Sequence, residues 1–126
     1  ELQINIEENL EVIFDEKYLF IVINNLLSNA VKYTKQGFIK ILAKKQGKKI
    51  VFEISDSGIG LKKEDLNNIF ERFYRVDKAR TNSASGVGLG LAIVKKICDR
   101  FGYIIDVKSE LHIGSQFSIT MIKKGI

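Results

Sequence analysis

The stretch GFIKILAKKQGKKIVFEISD, residues 37–56, decides the fold class of this 126-residue chain. Apolar residues recur at every second position on both sides of Gln46-Gly47, whereas lysines occupy much of the rest. The alternating residues are Ile39, Ile41 and Ala43 before the turn, and Ile50, Phe52 and Ile54 after it. A period of two predicts two antiparallel strands joined by a tight turn.

Two long helices are predicted, one on each side of this hairpin. The first is capped by Asp15 and runs to about Tyr33. Its apolar stripe consists of Leu19, Ile23, Leu26, Leu27, Ala30 and Thr34. The second runs from about Leu89 to Phe101 and is ended by Gly102. Its core-facing residues are Leu89, Ile93, Val94, Ile97 and Phe101.

The remaining segments complete one domain over residues 1–126. LEVIF (10–14) predicts a short strand, KKEDLNNIFERF (62–73) a short helix, and YIIDVKSELHIGSQFSITMIKK (103–124) a second antiparallel pair. No helix separates the two strands of either antiparallel pair. The pattern therefore predicts an α+β fold, a two-layer α/β sandwich whose mixed, mainly antiparallel sheet carries its helices on one face.

Composition narrows the function classes. The longest apolar run, Tyr18 to Ile23, is far too short to span a bilayer, and one cysteine excludes an internal disulfide framework and fits a reducing cytoplasm. A net charge of +5 favours an anionic partner: a nucleotide, a nucleic acid or an acidic protein. Because no basic face is interleaved with aromatic residues, a nucleic-acid-binding module has only the charge in its favour.

Polar side chains share one face of the first helix, within NNLLSNAVKYT (24–34). Asn25 and Asn29 are one turn apart, and Lys32 and Tyr33 follow a turn later. Amide oxygens suit Mg²⁺, a lysine suits a phosphate, and a tyrosine ring suits a base. The same pattern also describes an amphipathic helix with two ordinary surface amides.

Two glycine-containing segments have a similar ambiguity. In EISDSGIGL (53–61) a strand ends on Asp56, which could accept a hydrogen bond from an exocyclic amine or simply form a tight turn. In ASGVGLGLAIVKKI (84–97) a glycine run enters a helix, where it could wrap a phosphate chain or act as a joint. Neither the Walker A loop nor the dinucleotide fingerprint matches this spacing.

Taken together and in order, these motifs resemble the ATP-binding sites of the GHKL superfamily, and most closely the catalytic and ATP-binding domain of bacterial sensor histidine kinases. The resembling motifs are an N box (Asn25 to Tyr33), a first glycine box (Asp56 to Gly60), an F box (Phe70 to Arg75), a second glycine box (Gly86 to Leu91) and a last small box, GSQF (Gly114 to Phe117). The resemblance covers nearly the whole chain.

The resemblance implies a role for each matching residue. Asn29 would be the principal Mg²⁺ ligand with Asn25 beside it, and Lys32 would lie near the phosphates. Tyr33 would flank the adenine, and Asp56 would accept from its amino group. The other implied nucleotide-binding residues are Gly58, Ile59, Gly60, Phe70, Phe73, Gly86, Val87, Gly88, Leu89, Gly90, Leu91 and Ser115.

An ATP lid is implied over about residues 74–88, anchored at its start by Phe70 and Phe73. Arg75, Lys78 and Arg80 are its candidates for the γ-phosphate, Arg75 with a catalytic role beside Asn25, Asn29 and Lys32. Two positions depart from the family pattern. Val87 stands where many relatives have Thr, and Ser115 replaces the usual Thr of the last box.

The resemblance also implies the reaction. Related ATPases place a Glu where this chain has Asn25, and an amide cannot take a proton from water. We therefore expect the chain to bind ATP with Mg²⁺ and to donate the γ-phosphoryl group to a histidine on a separate dimerisation and phospho-acceptor domain. His112, the only histidine, is expected to lie in a turn without a catalytic role.

The remaining expectations concern context. The acceptor and sensor domains are expected to lie outside this chain, with a response regulator as partner of the full-length protein and no membrane or nucleic-acid contact by this domain. The expected location is cytoplasmic, as part of a membrane-anchored sensor. Two alternatives stay open: an anti-sigma-type serine kinase, which shares these motifs, and a non-catalytic ATP-binding regulatory module.

Overall fold

A computed structural model describes residues 1–8, 10, 14–71 and 90–122. Within them the chain forms five strands and three helices. In chain order these are β1 (Leu2–Ile6), α1 (Glu16–Tyr33), β2 (Ile39–Gln46), β3 (Lys49–Asp56), α2 (Lys63–Leu66), α3 (Gly90–Phe101), β4 (Ile104–Glu110) and β5 (Gly114–Ile122).

The strands form one sheet in the order β1-β2-β3-β5-β4. The β1–β2 pair is parallel, and the other three pairs are antiparallel. The predicted mixed, mainly antiparallel sheet is therefore confirmed, as are both antiparallel hairpins. The register places Asp56, at the end of β3, opposite Ser115 near the start of β5.

The N-terminal part of the sheet differs from expectation. The strand β1 was not predicted, and α1 separates it from its parallel partner β2, so one strand pair does enclose a helix. A parallel pair needs such a crossover, because a tight turn can only reverse the chain. Of the predicted strand LEVIF, the described residues Leu10 and Phe14 are not in a strand and pack against the core.

Helix α1 begins as predicted. The Asp15 carboxylate accepts a hydrogen bond from the Lys17 N–H at 2.9 Å. Its buried residues are Val22, Leu26 and Ala30, spaced by a helical turn each. Leu26 and Ala30 confirm part of the predicted stripe, whereas its members Leu19, Ile23 and Leu27 are only half-buried.

Helix α3 packs against α1 and β4. It buries Val94, Ile97 and Cys98. Burial of Val94 and Ile97 confirms the prediction, whereas Ile93, also predicted to face the core, is exposed. Cys98 takes its place and is fully buried. An aromatic cluster joins the ends of α1 and α3 to β4. Its members are Phe14, Tyr18, Phe101 and Tyr103.

None of the helices in the described ranges combines the length and apolarity needed to cross a lipid bilayer.

Candidate nucleotide-binding site

The carboxylate of Asp56 is buried at the end of β3, with 8% of the residue exposed. Its Oδ1 accepts a hydrogen bond from the Gly58 N–H at 2.9 Å. Burial raises the pKa of this carboxyl, while the backbone N–H groups of Gly58 and Ser115 and the Thr34 hydroxyl act in the opposite direction. The carboxylate is thus an acceptor surrounded by neutral donors, which suits an amine of a neutral ligand.

Ser115 contributes to this site through its backbone. Its N–H group lowers the pKa of Asp56, whereas its hydroxyl lies 2.7 Å from the Ser109 hydroxyl on β4. Ser109 also accepts a hydrogen bond from the Leu61 N–H at 2.8 Å and donates to the Gly114 carbonyl at 3.0 Å. The Ser109–Ser115 pair therefore ties the loop after β3 to the β4–β5 hairpin.

The loop after Asp56 is held from two sides. The Ile59 N–H donates to the Tyr33 carbonyl at 3.3 Å, and the Ile59 carbonyl accepts from the His112 N–H at 2.6 Å. The Ile59 side chain remains 50% exposed. An aliphatic group held in this way beside Asp56 offers an apolar surface to a planar base. His112 lies in the β4–β5 turn, as expected, and is exposed.

Gly60 has a structural reason to be glycine. Its φ is +72°, and a methyl group there would collide with the Glu110 carbonyl. The sequence predicted that Gly60 makes room for a nucleotide. On the side where a Cβ would project, the end of β4 fills the space.

The N-terminal end of α3 meets the middle of α1 at Asn25. The Asn25 side-chain amide donates to the Ile21 carbonyl at 2.7 Å, and among the described residues its Oδ1 accepts no hydrogen bond. A methyl group on Gly90 would lie 2.8 Å from that Oδ1. The last glycine of the second glycine box therefore lies directly against the first amide of the N box, as one shared site requires.

The other N-box residues follow along α1 toward β3. Asn29 is half-buried one turn after Asn25, and Lys32 is exposed with its Nζ 5.2 Å from the centre of the Tyr33 ring. Tyr33 is half-buried, and its carbonyl is the acceptor for the loop after Asp56. Asn25 therefore meets α3, and the C-terminal end of α1 meets the loop after Asp56 through the Tyr33 carbonyl.

Two of the residues predicted to bind the nucleotide pack against the hydrophobic core. Phe70 is half-buried and packs edge-on against Phe117 of β5, with ring centroids 6.3 Å apart. Leu91, in the first turn of α3, packs against the core. The other predicted contacts lie outside the described residues. They are Phe73, Arg75, Lys78, Arg80, Gly86, Val87, Gly88 and Leu89.

Two amides, a lysine and a tyrosine thus lie along α1, with Asn25 against α3 and the Tyr33 carbonyl bonded to the loop that follows the buried Asp56 carboxylate. The sequence profile described as "Histidine kinase-, DNA gyrase B-, and HSP90-like ATPase" matches residues 14–125. The chain belongs to this ATPase family. The predicted histidine-kinase type of ATP-binding domain is confirmed by its relatives, and ATP binding follows from the family.

Three known proteins show how close the similarity is. The sensor-like histidine kinase SenX3 of Mycolicibacterium smegmatis is 41% identical over 87% of this chain and 29% of its own length. The mycobacterial sensor histidine kinase MprB superposes with a TM-score of 0.85 at 26% identity, covering 100% of this chain and 85% of that one. Full-length ShkA in complex with AMPPNP gives 0.81 at 28% identity, covering 100% of this chain and 26% of that one.

The ATPase-family domain is therefore one part of a larger architecture in these relatives. The chain spans less than a third of the length of the curated relatives it matches first.

Two contributors to the site escaped the sequence interpretation. Ser109 pairs with Ser115 only because β4 and β5 form a hairpin, and no motif signals it. Thr34 was assigned to the apolar stripe of α1, yet its hydroxyl is directed toward the Asp56 side of the helix end. Its polarity at the end of an apolar stripe was the available signal.

Proposed function

We propose that this domain binds ATP together with Mg²⁺ and donates the γ-phosphoryl group to a histidine on a separate phospho-acceptor domain. The observation that carries this proposal is the buried Asp56 carboxylate. It faces neutral donors, and its remaining acceptor capacity matches the exocyclic amine of adenine. Ile59 and Tyr33, on either side of the loop after Asp56, would enclose the base.

The side-chain amides of α1 are suitable ligands for Mg²⁺. Mg²⁺ prefers oxygen ligands and keeps several waters, so one or two protein oxygens together with phosphate oxygens suffice. Asn29 would supply the principal oxygen, and the Oδ1 of Asn25, one helical turn earlier, lies against Gly90. When bound, the ion would neutralise charge on the phosphates, and Lys32 would add a cation beside them.

Asn25 favours transfer to a protein over hydrolysis. Its amide donates to the Ile21 carbonyl and cannot act as a base, so nothing at this position activates water. A neutral imidazole needs no such activation, because its nitrogen can attack the γ-phosphorus directly while the bond to the β-phosphate oxygen breaks and ADP leaves. The candidate lid cations Arg75, Lys78 and Arg80 would stabilise the charge that develops there.

The partners follow from this reaction. The phospho-acceptor domain would belong to the same full-length protein, and a response regulator would receive the phosphoryl group from it. The much longer histidine-kinase relatives support such a division of labour. We place the domain in the cytoplasm, where ATP is available, within a membrane-anchored sensor.

Labelled ATP tests the proposal. The 126-residue chain is incubated with [γ-³²P]ATP and Mg²⁺, alone and with the acceptor domain of the full-length protein. We expect label only on the acceptor, in an acid-labile form typical of a phosphorus–nitrogen bond. Label on the isolated chain would contradict the assignment, and acid-stable label would indicate a serine kinase. ATP binding without any transfer would indicate a regulatory module.

Two variants test the assigned contacts by calorimetry. Asn29→Ala removes the principal metal ligand, and Asp56→Asn replaces the acceptor by an amide that also carries donors. Each should weaken ATP·Mg²⁺ binding at least ~10-fold, about the value of one hydrogen bond to a charged group. Asn24→Ala, at an exposed position of the same helix, is the matched control and should bind normally.

A further inference from the structure

Thr34 has an unusual hydroxyl at the end of α1. The residue is half-buried and extended, with φ −117° and ψ 99°. Its Oγ1 is sealed from solvent and has no hydrogen-bond partner of ordinary geometry among the described residues. Burying an unpaired hydroxyl costs stability, and a methyl group of the same shape would avoid that cost. A hydroxyl kept under these conditions calls for a role outside folding.

The neighbour of this hydroxyl is the Asp56 carboxylate. A methyl group built on Gly58 would lie 2.9 Å from Asp56 Oδ1 and 2.9 Å from Thr34 Oγ1. Both oxygens therefore border the same small space beside Gly58. Oδ1 already accepts the Gly58 N–H at 2.9 Å, and the Thr34 hydroxyl acts on the same carboxyl.

The charge of Asp56 depends on such neutral donors. Burial raises the pKa of its carboxyl, whereas the N–H groups of Gly58 and Ser115 and the nearby Thr34 hydroxyl lower it. The other titratable residues on the surrounding elements are Lys32 and Tyr33 on α1, Lys40 on β2, Glu110 on β4 and His112 in the β4–β5 turn. Among the described residues, no charged side chain contributes to the shift.

We propose that Thr34 is a positioning residue for adenine recognition, which donates its hydroxyl to Asp56 when the nucleotide is bound. The donation would keep the carboxyl charged and turned so that its other oxygen accepts from the exocyclic amine of the base. This role rests on the proposed nucleotide binding. It adds Thr34 as a residue that contacts the Asp56 carboxylate without contacting the nucleotide.

Thr34→Val tests the role, because valine keeps the shape and removes the hydroxyl. We measure ATP·Mg²⁺ affinity by calorimetry from about pH 4 to pH 8, a range that brackets the unperturbed pKa of Asp. Binding requires the charged carboxylate, so it is lost as the pH falls through the pKa of Asp56. With one stabilising donor removed, that loss should occur at higher pH in the variant, and affinity at neutral pH should fall ~10-fold.

Thr34→Ser is the matched control, since it keeps the hydroxyl and should keep both the affinity and the pH profile of the wild type. Thermal unfolding without nucleotide gives the second readout. Thr34→Val should be at least as stable as the wild type, because it loses an unpaired buried hydroxyl. A purely structural hydroxyl would instead lower the melting temperature and leave the pH profile of binding unchanged.

Each remaining outcome is decisive. Wild-type affinity and an unshifted pH profile in Thr34→Val would overturn the role of Thr34 while leaving the proposed function intact. A variant that fails to fold would overturn it too, because the role requires stability without the hydroxyl; Thr34→Ala repeats this check with less bulk. Failure of the wild type to bind ATP would instead reject the proposed function itself.

Discussion

Gly60 and Gly47 share almost the same backbone conformation and differ in their surroundings. Their φ angles are +72° and +66°, in a region that side chains with a Cβ rarely adopt. Beside Gly60 lies the Glu110 backbone, whereas nothing lies within 4 Å of a methyl group on Gly47. A side chain at Gly47 would therefore meet only conformational strain, whereas a side chain at Gly60 would meet both strain and a steric clash.

Alanine at each position measures this separation. Gly47→Ala should cost about 1–2 kcal/mol of unfolding free energy, the strain of the left-handed region alone. Gly60→Ala should cost about 1–3 kcal/mol more, because the β4 backbone must also shift. Urea denaturation of both variants checks the difference. Equal losses would mean that the contact with Glu110 is not a constraint.

Gly60 also shows what could not be predicted from the sequence. The glycine pattern after Asp56 predicted a close approach, and the structure has one. The group that approaches Gly60 comes from β4, far along the chain, so no local pattern could identify it. Asp56 itself was found from its place at a strand end, because that inference needs only the strand and the following turn.

At the scale of elements, α1 has two apolar sides, of which one is buried and the other is exposed. Val22, Leu26 and Ala30 form the buried line, whereas Phe20 and Val31 are exposed. The sequence predicted the helix, its cap and two of its three buried residues, but it missed Val22 and included residues that are only half-buried. Apolar residues cover too much of α1 for periodicity alone to choose the side that meets the sheet.

Truncation of each side distinguishes them. Leu26→Ala removes a side chain that is 1% exposed and should cost about 2–5 kcal/mol of unfolding free energy. Phe20→Ala removes a larger side chain that is 69% exposed on the same helix, and should change stability by about 0.5 kcal/mol or less. Thermal denaturation ranks the two. A larger loss in Phe20→Ala would contradict the orientation of α1.

At the scale of the whole molecule, the site depends on contacts between distant elements. The second glycine box meets the N box where Gly90 lies against Asn25, and the carboxylate meets the last box where β3 pairs with β5. The motif order predicted that these segments share a site. The strand β1 was not predicted although its sequence, LQINI, alternates apolar and polar residues. All five residues are exposed, and the parallel pairing with β2 is a long-range contact that only the fold shows.

A site assembled from the whole fold should stabilise the whole fold when occupied. ATP with Mg²⁺ at 100-fold excess over its dissociation constant should add about 2.7 kcal/mol to the unfolding free energy. Differential scanning fluorimetry measures the shift in melting temperature. Chelation of Mg²⁺ should reduce it, and Asp56→Asn, with binding weakened ~10-fold, should lower the added stability to about 1.4 kcal/mol or less. An undiminished shift in that variant would place the nucleotide elsewhere.

The order of strands has a consequence for synthesis on the ribosome. Among the described strands β5 comes last in sequence, yet it lies inside the sheet between β3 and β4. Until it emerges, Asp56 lacks the Ser115 N–H group, and the inner edge of β3 stays unpaired. In a nascent chain ending before Gly114 the surroundings of Asp56 are therefore incomplete. Under the role proposed for Asp56, nucleotide would not guide early folding of this domain and would bind only molecules in which β5 is already in place.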